Sequence, residues 1–138
     1  MADKVSTVDS LGKVPLFKGL DKKHLQRVAQ LATKLSLPEG KELIREGETG
    51  HEFVIVLDGE VDVLHDDKVI ATRGPGDFVG EIALLADRPR TATVVTKTPV
   101  SVEVIGRREF LTMLDNEPEI AAQLESAMKD RLAELDAS

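Results

Sequence analysis

The 138-residue chain contains no cysteine, no tryptophan and no tyrosine, and only four phenylalanines. The missing thiols exclude disulfides, thiolate metal centres and cysteine nucleophiles, and they fit a reducing compartment. With so few rings, the interior has to be built from Val, Leu, Ile and Ala. No apolar run approaches the ~20 residues that cross a bilayer. Met1-Ala2-Asp3-Lys4-Val5-Ser6 has no apolar signal-peptide region, so the expectation is a cytoplasmic protein without a membrane partner. Basic side chains are outnumbered, 18 against 25, for a net charge of −7. A surface this acidic repels phosphate backbones, so nucleic acid is not expected as a partner and any bound anion must be attracted locally. Histidine is sparse as well. His24, His51 and His65 form no His-x-His pair, and all three are expected at the surface, with no metal site.

What the chain does contain falls into three zones of one domain spanning 1–138: a helical part (8–33), a strand-rich middle (34–105) and a helical end (107–136). Residues 1–15 show no clear period and read as an extended arm. Asp21 suits the N-cap of a helix running to about Thr33, with Leu25, Val28, Ala29 and Ala32 on one face and Leu20 and Leu25 as a hydrophobic staple. Short β-branched runs follow at 34–37, 41–45, 52–57, 60–65, 69–73, 91–96 and 100–105. Turn residues separate them, among them Asp58-Gly59, which reads as a hairpin turn. Strands at this spacing predict a sandwich or barrel, with Val61 and Val63 facing inward. After Gly106 the period is helical again. Phe110, Leu111 and Leu114 share a face, and Asn116 with Glu119 resembles a capping box that opens a last helix, with Pro118 in its first turn. Ile120, Leu124, Ala127, Met128, Arg131 and Leu135 line one side of that helix.

The most informative run is Asp77 to Val94. Gly80 suits a tight turn after a strand, and Glu81-Ile82-Ala83-Leu84-Leu85 reads as one helical turn. Its first amides, those of Ile82 and Ala83, have no intrahelical partner and face an anion favourably. Arg90 follows nine residues after Glu81, close enough for a short loop to bring its guanidinium back over those amides, and Thr91 and Ala92 add further donors. A carboxylate beside a phosphate is repulsive unless it faces a hydroxyl. The combination of Glu81 with Arg90 therefore argues for a nucleotide over free phosphate.

Phe78-Val79-Gly80-Glu81-Ile82-Ala83-Leu84-Leu85 followed by Pro89-Arg90-Thr91-Ala92-Thr93 resembles the phosphate-binding cassette of the cyclic nucleotide-binding domain family. Family members carry a pattern close to F-G-E-[IL]-A-L-[LI], a few variable residues, then P-R-x-A-[TS]. Here Val79 stands between the phenylalanine and the glycine. The stretch Lys13 to Leu20 is similar to the family's N-terminal helical motif, and the Gly47, Gly59 and Gly74 turns fall where the family places strand turns. The resemblance implies a mainly β fold with flanking helices: a double-stranded β-helix (jelly-roll) sandwich with an N-terminal helical segment and C-terminal lid helices. It implies a non-catalytic sensor of a cyclic purine nucleotide, without a further cofactor, whose last helix moves to cap the base. Residue by residue, it implies that Glu81 binds the ribose 2′-hydroxyl and that Arg90 binds the cyclic phosphate beside Val79, Gly80 and the Ile82 and Ala83 amides. Thr91 and Ala92 would contact phosphate, and Thr91 would also reach a guanine amino group.

Plainer readings stand beside these. Glu81 and Arg90 taken alone would be a partly buried ion pair. Val61, Val63 and Ile70 are base-pocket candidates but are core residues by default, and Arg73, Arg88, Arg107 and Arg108 read as solvated. With no lid aromatic, Leu124, Met128, Arg131 or Leu132 would have to cap the base. Cyclic AMP is expected over cyclic GMP, because it is the commoner ligand of stand-alone bacterial family members, and Thr91 keeps a cyclic GMP-selective sensor open. A cupin-like metal enzyme would need histidines and carboxylates clustered on facing strands, which the sequence does not supply. A degenerate structural module conflicts with the intact Gly80, Glu81 and Arg90. No output domain is legible, so an effector protein or a homodimer is expected to carry the response.

Overall fold

A computed structural model describes residues 4–137. In chain order the elements are α1 (Lys4–Gly12), a short 3-10 helix (Pro15–Phe17), α2 (Lys22–Leu31), β1 (Ala32–Leu37), β2 (Glu42–Ile44), β3 (Glu52–Asp58), β4 (Val61–His65) and β5 (Lys68–Arg73). Then come β6 (Phe78–Val79), α3 (Glu81–Leu85), β7 (Thr93–Thr96), β8 (Val100–Gly106), α4 (Arg107–Asn116) and α5 (Pro118–Ala137).

The unbroken apolar run Phe53 to Leu57 shows how the layers are built. In β3, Phe53 and Ile55 enter one apolar cluster while Val54 and Val56 enter another. A strand buried on both faces needs no polar alternation. The first cluster lies between a sheet of order β1-β8-β3-β6 and the helices, where Leu11, Val28, Met113, Ile120 and Leu124 pack. The second lies between that sheet and its partner of order β2-β7-β4-β5, and holds Ile44, Val61, Val79, Val94 and Val102. Every paired strand is antiparallel. Two antiparallel sheets with flanking helices are the expected sandwich. The scarce rings are concentrated rather than spread: Phe53 stacks on Phe110 at 4.9 Å and on Phe78 at 5.5 Å between centroids, and Phe17 is buried in the same cluster.

Several local expectations need correction. The N-terminal arm is the helix α1, with Thr7 and Leu11 buried against α2. Its apolar stripe is interrupted by a buried threonine, which hides the period. Asp21 caps α2 as expected, accepting from the His24 amide at 2.9 Å, but the helix stops at Leu31 and Ala32 already belongs to β1. Asp58-Gly59 closes no hairpin. It carries the chain from one sheet to the other, with Gly59 at φ +82° and the Pro99 carbonyl 2.2 Å from where a Cβ would stand. The tight hairpin is β4–β5, where His65 pairs with Lys68 across Asp66 and Asp67. Both turn residues have positive φ, 52° and 64°, as a two-residue type I′ loop requires.

At the α4–α5 junction Asn116 is the last residue of α4, not a cap. Glu117 takes the corner instead: its amide donates to Met113 and its carbonyl accepts from Ile120 and Ala121. The buried face of α4 carries Phe110 and Met113, whereas Leu111, one residue and about 100° further round, is exposed.

Candidate functional site

Gly80 opens the site. Its φ of +95° is left-handed, and a Cβ there would lie 2.7 Å from the Glu52 carbonyl oxygen and 2.9 Å from Arg90 Nη1. Only glycine allows this turn and this approach together. The turn starts α3, whose first four residues, Glu81 to Leu84, are all buried. After α3, Asp87 takes a positive φ of 48°, and the chain doubles back through Pro89 to Arg90. The Arg90 backbone is clamped by the loop of residues 45–51. Its amide donates to Glu48 at 2.8 Å, and its carbonyl accepts from Gly47 at 2.9 Å.

That clamp aims the Arg90 side chain into the fold, where it is only 6% exposed. Nη1 donates to the Gly80 carbonyl at 3.0 Å and Nη2 to the Glu52 carbonyl at 2.7 Å. Gly50 packs flat against the guanidinium, 3.1 Å from Cζ to the position a Cβ would take. Burial lowers the Arg90 pKa, opposed by Glu52 and then Glu81. The nearest carboxylate oxygen, on Glu52, is 3.9 Å away. This cation is held by carbonyls rather than neutralised by a tight carboxylate partner, so it retains attraction for an anion.

Glu81 is 1% exposed and does not pair with Arg90, contrary to the plain ion-pair reading. Its Oε1 accepts from Arg131 Nη1 at 2.9 Å, and its Oε2 is buried with no hydrogen-bond partner among the described residues. Desolvation raises the Glu81 carboxyl above its ordinary pKa, and the Arg131 charge opposes that rise. Arg131 reaches in from α5. It also donates through Nη1 to the Phe78 carbonyl at 2.8 Å and through Nη2 to Asp77 Oδ1 at 2.7 Å, and it lies 4.5 Å above the Phe78 ring. One guanidinium therefore spans a carboxylate, a carbonyl, a second carboxylate and a ring face.

These groups share one groove. Val79, Gly80, Glu81, Ile82, Ala83, Arg90, Thr91 and Ala92 line one part of it, and Val63, Ile70 and Arg131 line the rest. The cavity volume is about 60 Å³ with α5 docked, room for a few waters at the ~10–15 Å³ each requires. Arg131 is the α5 cation that lines it.

Three candidates lie elsewhere. Val61 is fully buried between the sheets, and Leu124 is fully buried under the helices beside Ile120 and Phe110, so neither has surface left for a ligand. Met128 is half-buried on α5 outside the groove lining. Conversely, Ile44, Arg73, Val94, Glu134 and Leu135 line the groove and were not singled out from sequence. Arg73 is not solvated: it stands 3.8 Å from Asp77 and 3.5 Å from Glu134, tying β5 to α5. The signal was available only in part: the strand run 69–73 and the α5 stripe with Leu135 were both legible, but not that they pack together. His51 is exposed as expected, but the other two histidines are not free surface residues. His24 stands 2.7 Å from the buried Glu117 carboxylate, and His65 is half-buried beside the Thr91 carbonyl.

Residues 34–117, more than half of the chain, match the family described as "Cyclic nucleotide-binding domain". A cAMP-dependent protein kinase regulatory subunit of Schizosaccharomyces pombe is 34% identical over 107 residues, covering 77% of this chain and 26% of the relative. A cAMP-bound PfPKA-R structure superposes with a TM-score of 0.84 at 32% identity, over 96% of this chain and 47% of that one. A PKAR CBD2 structure bound to Sp-2Cl-cAMPS gives a TM-score of 0.82 at 31% identity, over 98% and 95%. The chain spans only 26% to 29% of the length of the curated relatives it matches. Those relatives are regulatory subunits by name.

Proposed function

The chain belongs to the cyclic nucleotide-binding domain family, and from that membership we propose that it is a non-catalytic sensor binding cyclic AMP in the groove between α3 and α5. The observation that carries this reading is Glu81 Oε2, a buried acceptor without a partner in the same groove as the under-neutralised Arg90. A bare carboxylate oxygen is costly to bury. A ribose 2′-hydroxyl satisfies it as a neutral donor, while the cyclic phosphate lies against Arg90 and the Ile82 and Ala83 amides. Phosphate and hydroxyl sit on the same ring of a cyclic nucleotide, which matches a cation and an acceptor carried by one short turn.

The lid follows from the same carboxylate. Arg131 holds Glu81 Oε1, so a ribose at Glu81 changes what Arg131 sees. Binding then shifts the position of α5 to the extent that nucleotide affinity differs between its docked and rearranged states. Arg131, with Glu134 and Leu135 one turn later, replaces the missing aromatic as the cap over the base. Cyclic AMP is preferred over cyclic GMP because similar solved chains are described as bound to cAMP or a cAMP analogue. Cyclic GMP selectivity is the second reading, through the Thr91 hydroxyl in the groove. As its effector we propose a protein partner. The names of the curated relatives point to a protein kinase catalytic subunit as its class, and pairing of two copies is the alternative.

Titration calorimetry with cyclic AMP and cyclic GMP tests this. One site, with cyclic AMP the tighter ligand, is expected. The absence of both heat and thermal shift with either nucleotide would remove the proposal.

A further inference from the structure

Outside the groove, Glu46, His65 and Asp66 each offer one ligating atom, all within 4.8 Å of one another. Glu46 lies in the loop after β2, His65 ends β4, and Asp66 opens the β4–β5 turn. We propose that these three side chains form a site for one borderline divalent cation of the zinc class, with a fourth position left to water.

The imidazole of His65 carries the argument. Its Nδ1 is 3.1 Å from the Thr91 carbonyl oxygen. A carbonyl only accepts, so Nδ1 bears the hydrogen, and in the neutral ring Nε2 presents a lone pair. Asp66 Oδ2 lies 3.5 Å from this Nε2. Two acceptor atoms do not attract each other without a cation between them. The separation is longer than the ~2.7–2.9 Å of a charge-assisted N–H···O bond. It is close to the roughly 3.4 Å that separates two ligands on a tetrahedral zinc with bonds of about 2.0–2.1 Å. A metal-binding histidine whose other nitrogen donates to a backbone carbonyl is the usual way such a ring is oriented.

The carboxylates are positioned independently. Glu46 Oε1 accepts from the Asp66 amide at 3.2 Å, and Oε2 lies 3.4 Å from His65 Nδ1. Asp66 is fixed in a positive-φ turn. One imidazole and two carboxylates suit zinc or a similar transition ion. Calcium and magnesium favour sites made of oxygen alone. The site also reaches the candidate ligand groove, because His65 holds the carbonyl of the residue that follows Arg90.

The test is calorimetric titration of the whole chain with zinc chloride and, separately, calcium chloride, alongside nitrogen-15 spectra of the imidazoles. One equivalent of zinc is expected, with no heat from calcium. Zinc should shift His65 Nε2 while the Nδ1–H signal persists. Asp66→Asn keeps a side chain that tolerates positive φ, and it should weaken zinc at least about tenfold without lowering the melting temperature. Zinc that does not bind, that binds equally to Asp66→Asn, or that shifts His24 or His51 instead would overturn the site. So would a His65 ring found protonated on both nitrogens and unchanged by zinc, since a proton would then be the bridging cation.

Discussion

Replacing Arg90 removes two functions at once, and separating them is the sharpest test of the phosphate assignment. A guanidinium has five N–H donors, and among the described residues Arg90 gives one to the Gly80 carbonyl and one to the Glu52 carbonyl. In Arg90→Ala, two buried carbonyls lose charge-assisted bonds at ~1.5–3 kcal/mol each. The fold loses about 3–6 kcal/mol from a total that is typically ~5–15 kcal/mol. The phosphate loses its cation as well, about 3 kcal/mol or two orders of magnitude in Kd. Failure of the alanine variant to bind would therefore not say which loss was responsible. Arg90→Lys retains a charge but not the planar fork. It should stay folded with a melting temperature a few degrees lower, and bind cyclic AMP at least about tenfold more weakly. Adenosine, with the same base and ribose but no phosphate, is the control, and its affinity should be nearly the same for wild type and Arg90→Lys. Calorimetry on both ligands reads the result. Cyclic AMP bound at wild-type affinity by folded Arg90→Lys would refute the assignment. Equal weakening of cyclic AMP and adenosine would show that Arg90 only holds the turn.

Glu81→Gln should weaken cyclic AMP less than Arg90→Ala in calorimetry, because an amide oxygen still accepts from a hydroxyl; the reverse order would exchange the two assignments. The same variant tests the raised Glu81 pKa. That rise contributes stability in full below the ordinary carboxylate value of 4.5 and loses it as pH climbs through the folded value. The melting temperature of Glu81→Gln should therefore gain on wild type as pH rises above the ordinary carboxylate value, and a constant difference through that rise would contradict the buried-charge argument. Thr91→Ala should reduce cyclic GMP affinity more than cyclic AMP affinity, with equal losses arguing against a base-reading hydroxyl. Arg131→Gln should speed hydrogen exchange of the ligand-free protein in the last turns of α5 while leaving Ile120 to Leu124 protected. Unchanged exchange would mean that Arg131 does not hold the helix down.

What could be read from sequence was decided by how far apart the cooperating residues lie. The turn at Gly80, the helix at Glu81–Leu85 and the return of Arg90 were legible because about a dozen consecutive residues build them. β3 was legible as a strand because Phe53 to Leu57 is apolar throughout, although nothing in that run says which residues face helices and which face the second sheet. Asp58-Gly59 was legible as a turn but not as a change of sheet, because turn chemistry fixes local backbone and not the partner of the next strand. The α4–α5 corner was misplaced by one residue because Asn116 and Glu117 can both satisfy a helix end, and the choice fell to the residue buried beside His24. Arg73 was missed because its long-range partner, Glu134, is close only once β5 and α5 are packed.

Arg131 shows why the lid was the hardest part to read. On the predicted α5 stripe it is one of several equivalent positions, and Leu124, seven residues earlier, has the better composition for capping a base. The fold divides that stripe. Its first turns cover Phe110 and Met113 under the sheet, and only the later turns cross α3. At the crossing, an aliphatic residue would leave the buried Glu81 without the cation that hydrogen-bonds it. An arginine bonds Glu81 and Asp77 and stacks on Phe78. Arg131 answers Glu81, while Arg90, held by carbonyls, remains available to a phosphate. The charge that closes the groove and the charge that would recruit the ligand belong to different elements that meet at the N-terminal end of α3, so occupancy there can be felt by α5 through Glu81.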